Sequence, residues 1–130
     1  MIGLDTNVLV RYLMLDDEIQ TPQAKAIMDG FTEENPGFIS LPTLLELLWV
    51  LKRRYKIPKE KSLHVVAALL ASPVLCFQEN NAVNEALEIA RRENNDLPDV
   101  LVSIFGRDAG CSRTLTFDQK AAIIPGMVLV

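Results

Sequence analysis

The chain has 130 residues, of which 49% are hydrophobic and 23% are charged, a balance typical of one folded domain and not of a disordered chain. Its net charge of −4 argues against a protein that coats nucleic acid by bulk attraction. Because no apolar run is long enough to cross a bilayer and no secretory signal opens the sequence, we expect a cytoplasmic protein without a membrane segment. The two cysteines, Cys76 and Cys111, have no zinc-binding or disulfide spacing, which predicts two buried free thiols.

Strands and helices are predicted in alternation along the chain. The predicted strands cover residues 1–5, 38–41, 73–77, 112–117 and 127–130, and the predicted helices cover 6–15, 21–31, 43–55, 58–72, 81–95 and 96–110. Thr21 is expected to cap the second helix, with Pro22 at its first position, and Gly110 is expected to end the last one. With no repeat, linker or low-complexity segment, the sequence predicts a single domain over 1–130.

Short apolar strands between helices indicate a parallel sheet that is covered on both faces. The predicted fold is a three-layer α/β/α domain with a central, mostly parallel sheet of four to five short strands. In such sheets ligands bind beyond the carboxyl ends of the strands. Asp5 ends the first predicted strand and Asp118 follows the fourth, so we expect the chemistry at this end.

Each acid in these positions also has a structural explanation. Asp5 and Asp118 could cap the helices that follow them, and Asp96 with Asp99 in "DLPD" resembles a capping box. Glu46 is the only charge in "LPTLLELLWVL". Glu46 lies either on a thin solvated edge of that helix or on an inward-facing stripe, where its carboxylate would need a cation beside it.

Taken together, the acids indicate a metal site. Carboxylates at two strand ends and in the early turns of two helices can converge on one cleft, where a divalent cation would offset their repulsion. The lack of His and Cys ligands favours Mg²⁺ or Mn²⁺ over zinc. Dinucleotide and P-loop phosphate binding lack their glycine motifs, and neither Ser103 nor His64 stands in a pattern that favours a serine triad.

Basic residues are concentrated in "KRRYKIPKEK" at 52–61, which holds six of the thirteen lysines and arginines. Such a cluster indicates a contact with a phosphate backbone or an acidic partner. The alternative is the solvated end of a helix, where the helix dipole favours cations.

Four motifs in order, "LDTNVLVRYL", "LLELLWVL", "DLPDVLV" and "TLTFDQKAA", resemble the PIN domain family, and within it the VapC-type toxins of bacterial and archaeal type II toxin–antitoxin pairs. The resemblance runs nearly end to end. It implies a metal-dependent endoribonuclease whose catalytic and metal-binding acids around Mg²⁺ or Mn²⁺ are Asp5, Glu46, Asp99 and Asp118. Supporting polar positions of the family are matched by Thr6, Asn7 and Thr116. One departure is Pro98 inside "DLPD", which restricts the residue before it.

The implied reaction is hydrolysis of RNA by a metal-activated water, with 5′-phosphate and 3′-hydroxyl products. Outside the acidic pocket, the first candidates for holding RNA are Lys52, Arg53, Arg54 and Lys56. The implied partners are the RNA substrate and a cognate antitoxin protein, and the apolar helix face with Trp49 predicts a homodimer or a partner surface. Two alternatives stay open, a metal-dependent phosphatase on a similar sheet and a non-catalytic PIN-like module that binds a protein.

Overall fold

A computed structural model describes the whole chain, Met1–Val130. The chain forms five short strands and six α-helices, with two helices after each of the first three strands. The strands are β1 (Ile2–Gly3), β2 (Gly37–Ile39), β3 (Leu75–Phe77), β4 (Thr114–Thr116) and β5 (Met127–Leu129). The helices are α1 (Thr6–Met14), α2 (Gln20–Asp29), α3 (Leu41–Arg53), α4 (Lys59–Ala71), α5 (Asn80–Glu93) and α6 (Leu97–Asp108), and one 3₁₀ turn covers Ala121–Ile123. Every predicted element is present.

All strand pairs are parallel. They form a three-stranded sheet in the order β1-β2-β3 and a two-stranded sheet of β4 and β5. Parallel strands joined through helices confirm the predicted α/β class and are consistent with the three-layer α/β/α fold. The five predicted strands therefore hydrogen-bond as a group of three and a group of two. None of the helices combines the length and the apolar character needed to cross a bilayer.

Backbone packing divides the chain into two compact units. The first unit comprises Met1–Pro58 and Ala68–Gln78, and the second comprises Lys59–Ala67 and Glu79–Val130. In the first unit α1 packs against α2 and α3. Its core includes Leu9, Ile39, Leu44 and Leu47, all with 1% or less of their surface exposed.

The start of α2 differs from the prediction. α2 begins at Gln20, and the Oδ1 atom of Asp17 accepts hydrogen bonds from the backbone N–H groups of Gln20 (2.6 Å) and Ile19 (3.0 Å). Thr21, the predicted N-cap, lies inside the helix, and its hydroxyl donates to the carbonyl of Arg11 at 3.3 Å. The prediction was wrong because aspartate and threonine are both good caps, and the one further upstream is used.

The second unit is built on α5, α6 and the β4–β5 pair. α5 packs against α6, and α6 packs against β4. Arg107 of α6 donates two hydrogen bonds to the carboxylate of Glu85 on α5, at 2.6 and 2.9 Å. These bonds hold the pKa of Glu85 below its ordinary value. Gly110 follows α6 with φ +96°, as expected for the glycine that ends a helix.

Both cysteines are free, as predicted, but both are exposed, so the prediction of buried thiols was wrong. On β3 the side chains of Leu75 and Phe77 are buried, and the alternation of a strand turns Cys76 to the opposite face. Cys111 follows the turn at Gly110.

Candidate active site

The carboxyl ends of β1, β2 and β3 lie at one edge of the first unit because these strands are parallel. Ser40 follows β2 and caps α3, since its Oγ accepts a hydrogen bond from the N–H of Thr43 at 3.2 Å. The buried hydroxyl of Thr43 donates to the carbonyl of Leu4 at 3.2 Å. This bond connects α3 to the residue directly before Asp5.

Gln78 joins the same edge from β3 and was not singled out in the sequence. Its Oε1 accepts a hydrogen bond from the N–H of Leu41, the first residue of α3, at 2.9 Å. A polar residue directly after the apolar stretch "PVLCF" was the signal that could have identified it. The loops after all three strands therefore contribute polar groups to this edge.

Asp5 occupies the N-cap position of α1 with φ −79° and ψ 156°, but its carboxylate accepts no capping hydrogen bond. The capping explanation is therefore wrong for this residue. Asp5 is exposed, so its side chain is accessible to solvent or to a ligand. Of its neighbours, Thr6 is almost completely buried and Asn7 is exposed.

Glu46 lies one turn after Thr43 on α3, and residues three apart share a helix face. It is therefore on the side of α3 that Thr43 turns toward Leu4. The side chain of Glu46 is exposed. The inward-facing, buried carboxylate considered from the sequence is wrong, and Glu46 belongs to a solvated edge that needs no cation for its own stability.

Asp99 is the third residue of α6 and is half-buried. The helix dipole favours the ionised form of an acid in this first turn. The predicted capping box of Asp96 and Asp99 is not formed, because the Asp96 side chain makes no capping hydrogen bond. Asp96 instead lies 3.6 Å from the ammonium of Lys59, which also donates to the carbonyl of Asn94 at 2.9 Å.

Asp118 follows β4 and does cap the turn after it. Its Oδ1 accepts hydrogen bonds from the N–H groups of Lys120 (2.8 Å) and Ala121 (3.4 Å). The hydroxyl of Thr116 accepts a hydrogen bond from the N–H of Asp118 at 3.0 Å. The capping explanation is therefore confirmed for Asp118, whose other carboxylate oxygen takes no part in the cap.

In the second unit Asp99 lies in the first turn of α6, and Asp118 lies just beyond the end of β4. A Cβ atom on Gly106 would come within 2.6 Å of the Thr114 hydroxyl, so the last turns of α6 lie beside the start of β4. Asp99 precedes Gly106 by about 10 Å of helix, and Asp118 lies two residues beyond the end of β4.

A cavity of about 180 Å³ lies in the second unit. Its lining includes Ser103, Arg107, Cys111, Thr114 and Gly126, and therefore lies at the start of β4. None of the four predicted acids lines it. Asp5, Glu46 and Asp118 are exposed, and Asp99 is half-buried.

No three His, Cys, Asp or Glu side chains come close enough together to hold a metal ion. The donor chemistry nevertheless fits a hard divalent cation, because Asp5, Glu46, Asp99 and Asp118 all offer carboxylate oxygens. Asp5 and Glu46 belong to the first unit, and Asp99 and Asp118 belong to the second. The assignment of all four acids to one metal site remains a prediction.

The basic residues predicted to hold RNA lie at the carboxyl end of α3. Lys52, Arg53, Arg54 and Lys56 are all exposed, and none of them forms an ion pair. The Arg54 guanidinium lies 5.6 Å from the centre of the Tyr55 ring. Tyr55 in turn donates a hydrogen bond to Asp16 at 2.8 Å, which fastens the segment to the loop after α1.

Comparison with models of known protein families identifies one match. The PIN domain matches residues 2–126, a range that contains all four acids and nearly the whole chain. A search of the curated proteins finds no match.

Proposed function

The chain belongs to the PIN domain family, which has a nuclease fold, and from this premise we propose that it is a metal-dependent endoribonuclease. Asp5, Glu46, Asp99 and Asp118 are the acids that hold Mg²⁺ or Mn²⁺. A cation held by these carboxylates would supply Lewis-acid stabilisation of the phosphate and a water of lowered pKa. Thr116 positions Asp118 through the hydrogen bond to its N–H. Thr6 and Asn7 support Asp5 from the first turn of α1.

The observation that carries the proposal is the exposed, uncapped carboxylate of Asp5 directly after β1. Asp5 stands at a helix start without capping it, which removes the structural reason for an aspartate at that position. Sites for small molecules are usually enclosed and largely apolar, whereas the cavity of the second unit contains none of the acids. Open acidic edges fit a polymeric phosphodiester better than a small phosphate ester.

The basic tract, defined as Lys52, Arg53, Arg54 and Lys56, is proposed to hold RNA phosphates. Exposed cations without ion-pair partners can contact phosphate without breaking existing interactions. Glu46 and Arg53 are seven residues apart on α3, which is about 10 Å along the helix axis. The tract therefore contacts RNA at a distance from the acids and does not take part in the bond cleavage.

We further propose that the chain is the toxin of a type II toxin–antitoxin pair, and that it forms a homodimer. Leu45 and Trp49 are four residues apart on α3, share one face and are 40% and 61% exposed. An exposed apolar pair of this kind supports a protein–protein contact. The antitoxin is proposed to inhibit the ribonuclease by binding it.

Cleavage of total cellular RNA, resolved on gels, tests the proposed activity. The purified chain is expected to cleave RNA with Mg²⁺ or Mn²⁺ and to be inactive in EDTA. Asp5→Asn is expected to abolish cleavage, because it keeps the shape of the side chain and removes a ligand charge. Glu33→Gln is the matched control, since Glu33 is an exposed acid in the turn before β2, and it should retain full activity.

Other outcomes identify the alternatives. Cleavage that survives both EDTA and Asp5→Asn would contradict a metal-dependent activity of these acids. Metal-dependent turnover of a small phosphate ester without RNA cleavage would indicate a phosphatase. Failure to cleave any RNA, together with tight binding to a protein, would indicate a non-catalytic binding module.

A further inference from the structure

Phe117 is the most exposed large apolar side chain of the protein, with 84% of its surface open to solvent. The fold therefore gains no burial energy from the ring, and a polar residue would serve the fold equally well. Only one other aromatic residue, Trp49, is exposed. The position of Phe117 is consequently not explained by packing.

The backbone around Phe117 is held on both sides. The carbonyl of Thr116 accepts a hydrogen bond from the N–H of Val130 at 2.9 Å, so the preceding residue is fixed to the end of β5. Asp118 is fixed through its N–H to the Thr116 hydroxyl and through its Oδ1 to the N–H groups of Lys120 and Ala121. The exposed ring is thus presented on a fixed turn.

The surroundings of Phe117 match the parts of a nucleotide. The next residue is Asp118, one of the acids proposed to act at the scissile phosphate. Lys120 is exposed and forms no ion pair, so a cation is available to a phosphate on the same turn. Leu115 on β4 is 61% exposed and lies two residues before Phe117, so a second apolar side chain is open to solvent close by in the chain.

We propose that Phe117 is a stacking platform for a nucleobase of the RNA substrate, beside the phosphodiester bond that is cleaved. This inference rests on the proposed ribonuclease function. Every base has a π-face, so stacking on an aromatic ring binds RNA with little sequence preference. Bases can stack on a side chain only when they are unpaired, so the preferred substrate is a single-stranded segment or a loop.

The test measures binding of short single-stranded RNA to the uncleaving Asp5→Asn chain, with 2-aminopurine in the RNA as the reporter. Phe117→Leu keeps an apolar side chain and removes the π-face. It is expected to weaken binding by between about 5-fold and about 100-fold, and to abolish the quenching of 2-aminopurine at one position. Phe117→Trp is expected to restore both. Ile19→Ala is the matched control for loss of an exposed apolar side chain, and it should bind as tightly as the parent.

An abasic scan separates stacking from a structural effect. When the abasic nucleotide occupies the stacked position, the parent chain should bind as weakly as Phe117→Leu, and the variant should lose nothing further. The salt dependence of RNA binding should be the same for the parent and Phe117→Leu, because stacking releases no counterions. Removing a cation of the basic tract should instead reduce the slope of log binding constant against log salt concentration by about 0.7 per lost phosphate contact.

The outcomes distinguish this inference from the proposed function. Equal binding by the parent and Phe117→Leu, or an equal loss on every abasic RNA, would overturn the stacking role even if the chain cleaves RNA. If Phe117→Leu loses the stacked base but the wild type cleaves no RNA, the stacking role stands and only the proposed ribonuclease activity is contradicted. If Phe117→Leu binds RNA normally and Phe117→Ala loses a protein partner, the ring serves a protein contact and the inference is wrong.

Discussion

Asp17 shows how one side chain sets the start of a helix and makes it sensitive to pH. Hydrogen bonds from the N–H of Gln20 and then of Ile19 hold the pKa of Asp17 below its ordinary value of 3.8. Stability that comes from such a lowered pKa is present above the ordinary value and is lost as the pH falls through the folded value. Asp17→Ala is therefore expected to lower the melting temperature at neutral pH, and its difference from the wild type should narrow below pH 3.8.

Thermal unfolding from neutral to acid pH measures this difference. Glu18→Ala is the neighbouring control, because Glu18 is exposed and makes no capping bond, and its difference from the wild type should be small throughout. A constant difference between Asp17→Ala and the wild type across this range would contradict the expected linkage.

The aspartates also show which properties of a single residue can be predicted from sequence. The sequence analysis placed Asp5 and Asp118 correctly near helix starts, because aspartate is favoured there, but it did not single out Asp17. It could not tell that Asp17 and Asp118 accept capping bonds whereas Asp5 does not. That difference depends on the rotamer of each aspartate and on the backbone of its turn. An exposed carboxylate can be hydrogen-bonded either by a backbone N–H or by water, so both arrangements are stable. The same ambiguity applied to Glu46, whose exposure depends on how α3 sits on its unit.

At the scale of elements, the contact between α6 and β4 depends on Gly106. Alanine is normally favoured over glycine in a helix by about 1 kcal/mol. Here the added Cβ would come within 2.6 Å of the Thr114 hydroxyl. Gly106→Ala is therefore expected to be neutral or destabilising, by up to roughly 2 kcal/mol, because the threonine must rotate or α6 must shift. In the Thr114→Ala background the same change should stabilise, because the clashing oxygen is gone.

Chemical denaturation of the two single variants and the double variant measures the coupling between the sites. Additive effects would show that Gly106 and Thr114 do not contact each other in solution.

The elements themselves could be predicted well, whereas their pairing could not. All eleven strands and α-helices fall within two residues of their predicted ends, because apolar periodicity, prolines and glycines mark them locally. The grouping of the strands into three and two was not predictable, since strands of two or three residues carry too little pattern to specify their neighbours. The prediction that Cys76 is buried was wrong for a related reason, because its exposure depends on which face of β3 is covered.

At the scale of the molecule, charge separates two kinds of surface. The chain carries a net charge of −4, yet the basic tract concentrates unpaired cations at the carboxyl end of α3. The other end of α3 contacts the sheet edge through Thr43, next to Asp5. The four motifs made the family predictable from sequence, and the match over residues 2–126 confirms it. The proposed convergence of the four acids on one cation could not be derived in this way, because it depends on contacts between residues far apart in the chain.

Metal binding by the whole chain can be tested without any RNA. A cation that binds only the folded state stabilises it, by about 2.7 kcal/mol at a concentration 100 times its dissociation constant. Mn²⁺ is therefore expected to raise the melting temperature of the wild type and of Glu33→Gln, and to raise that of Asp5→Asn much less. Because Asp5 makes no capping hydrogen bond, Asp5→Asn should cost the metal-free protein no stability. The variant then differs from the wild type only when Mn²⁺ is present. A wild type indifferent to Mn²⁺, or an equal shift in Asp5→Asn, would show that Asp5 is not a metal ligand, whichever activity the chain has.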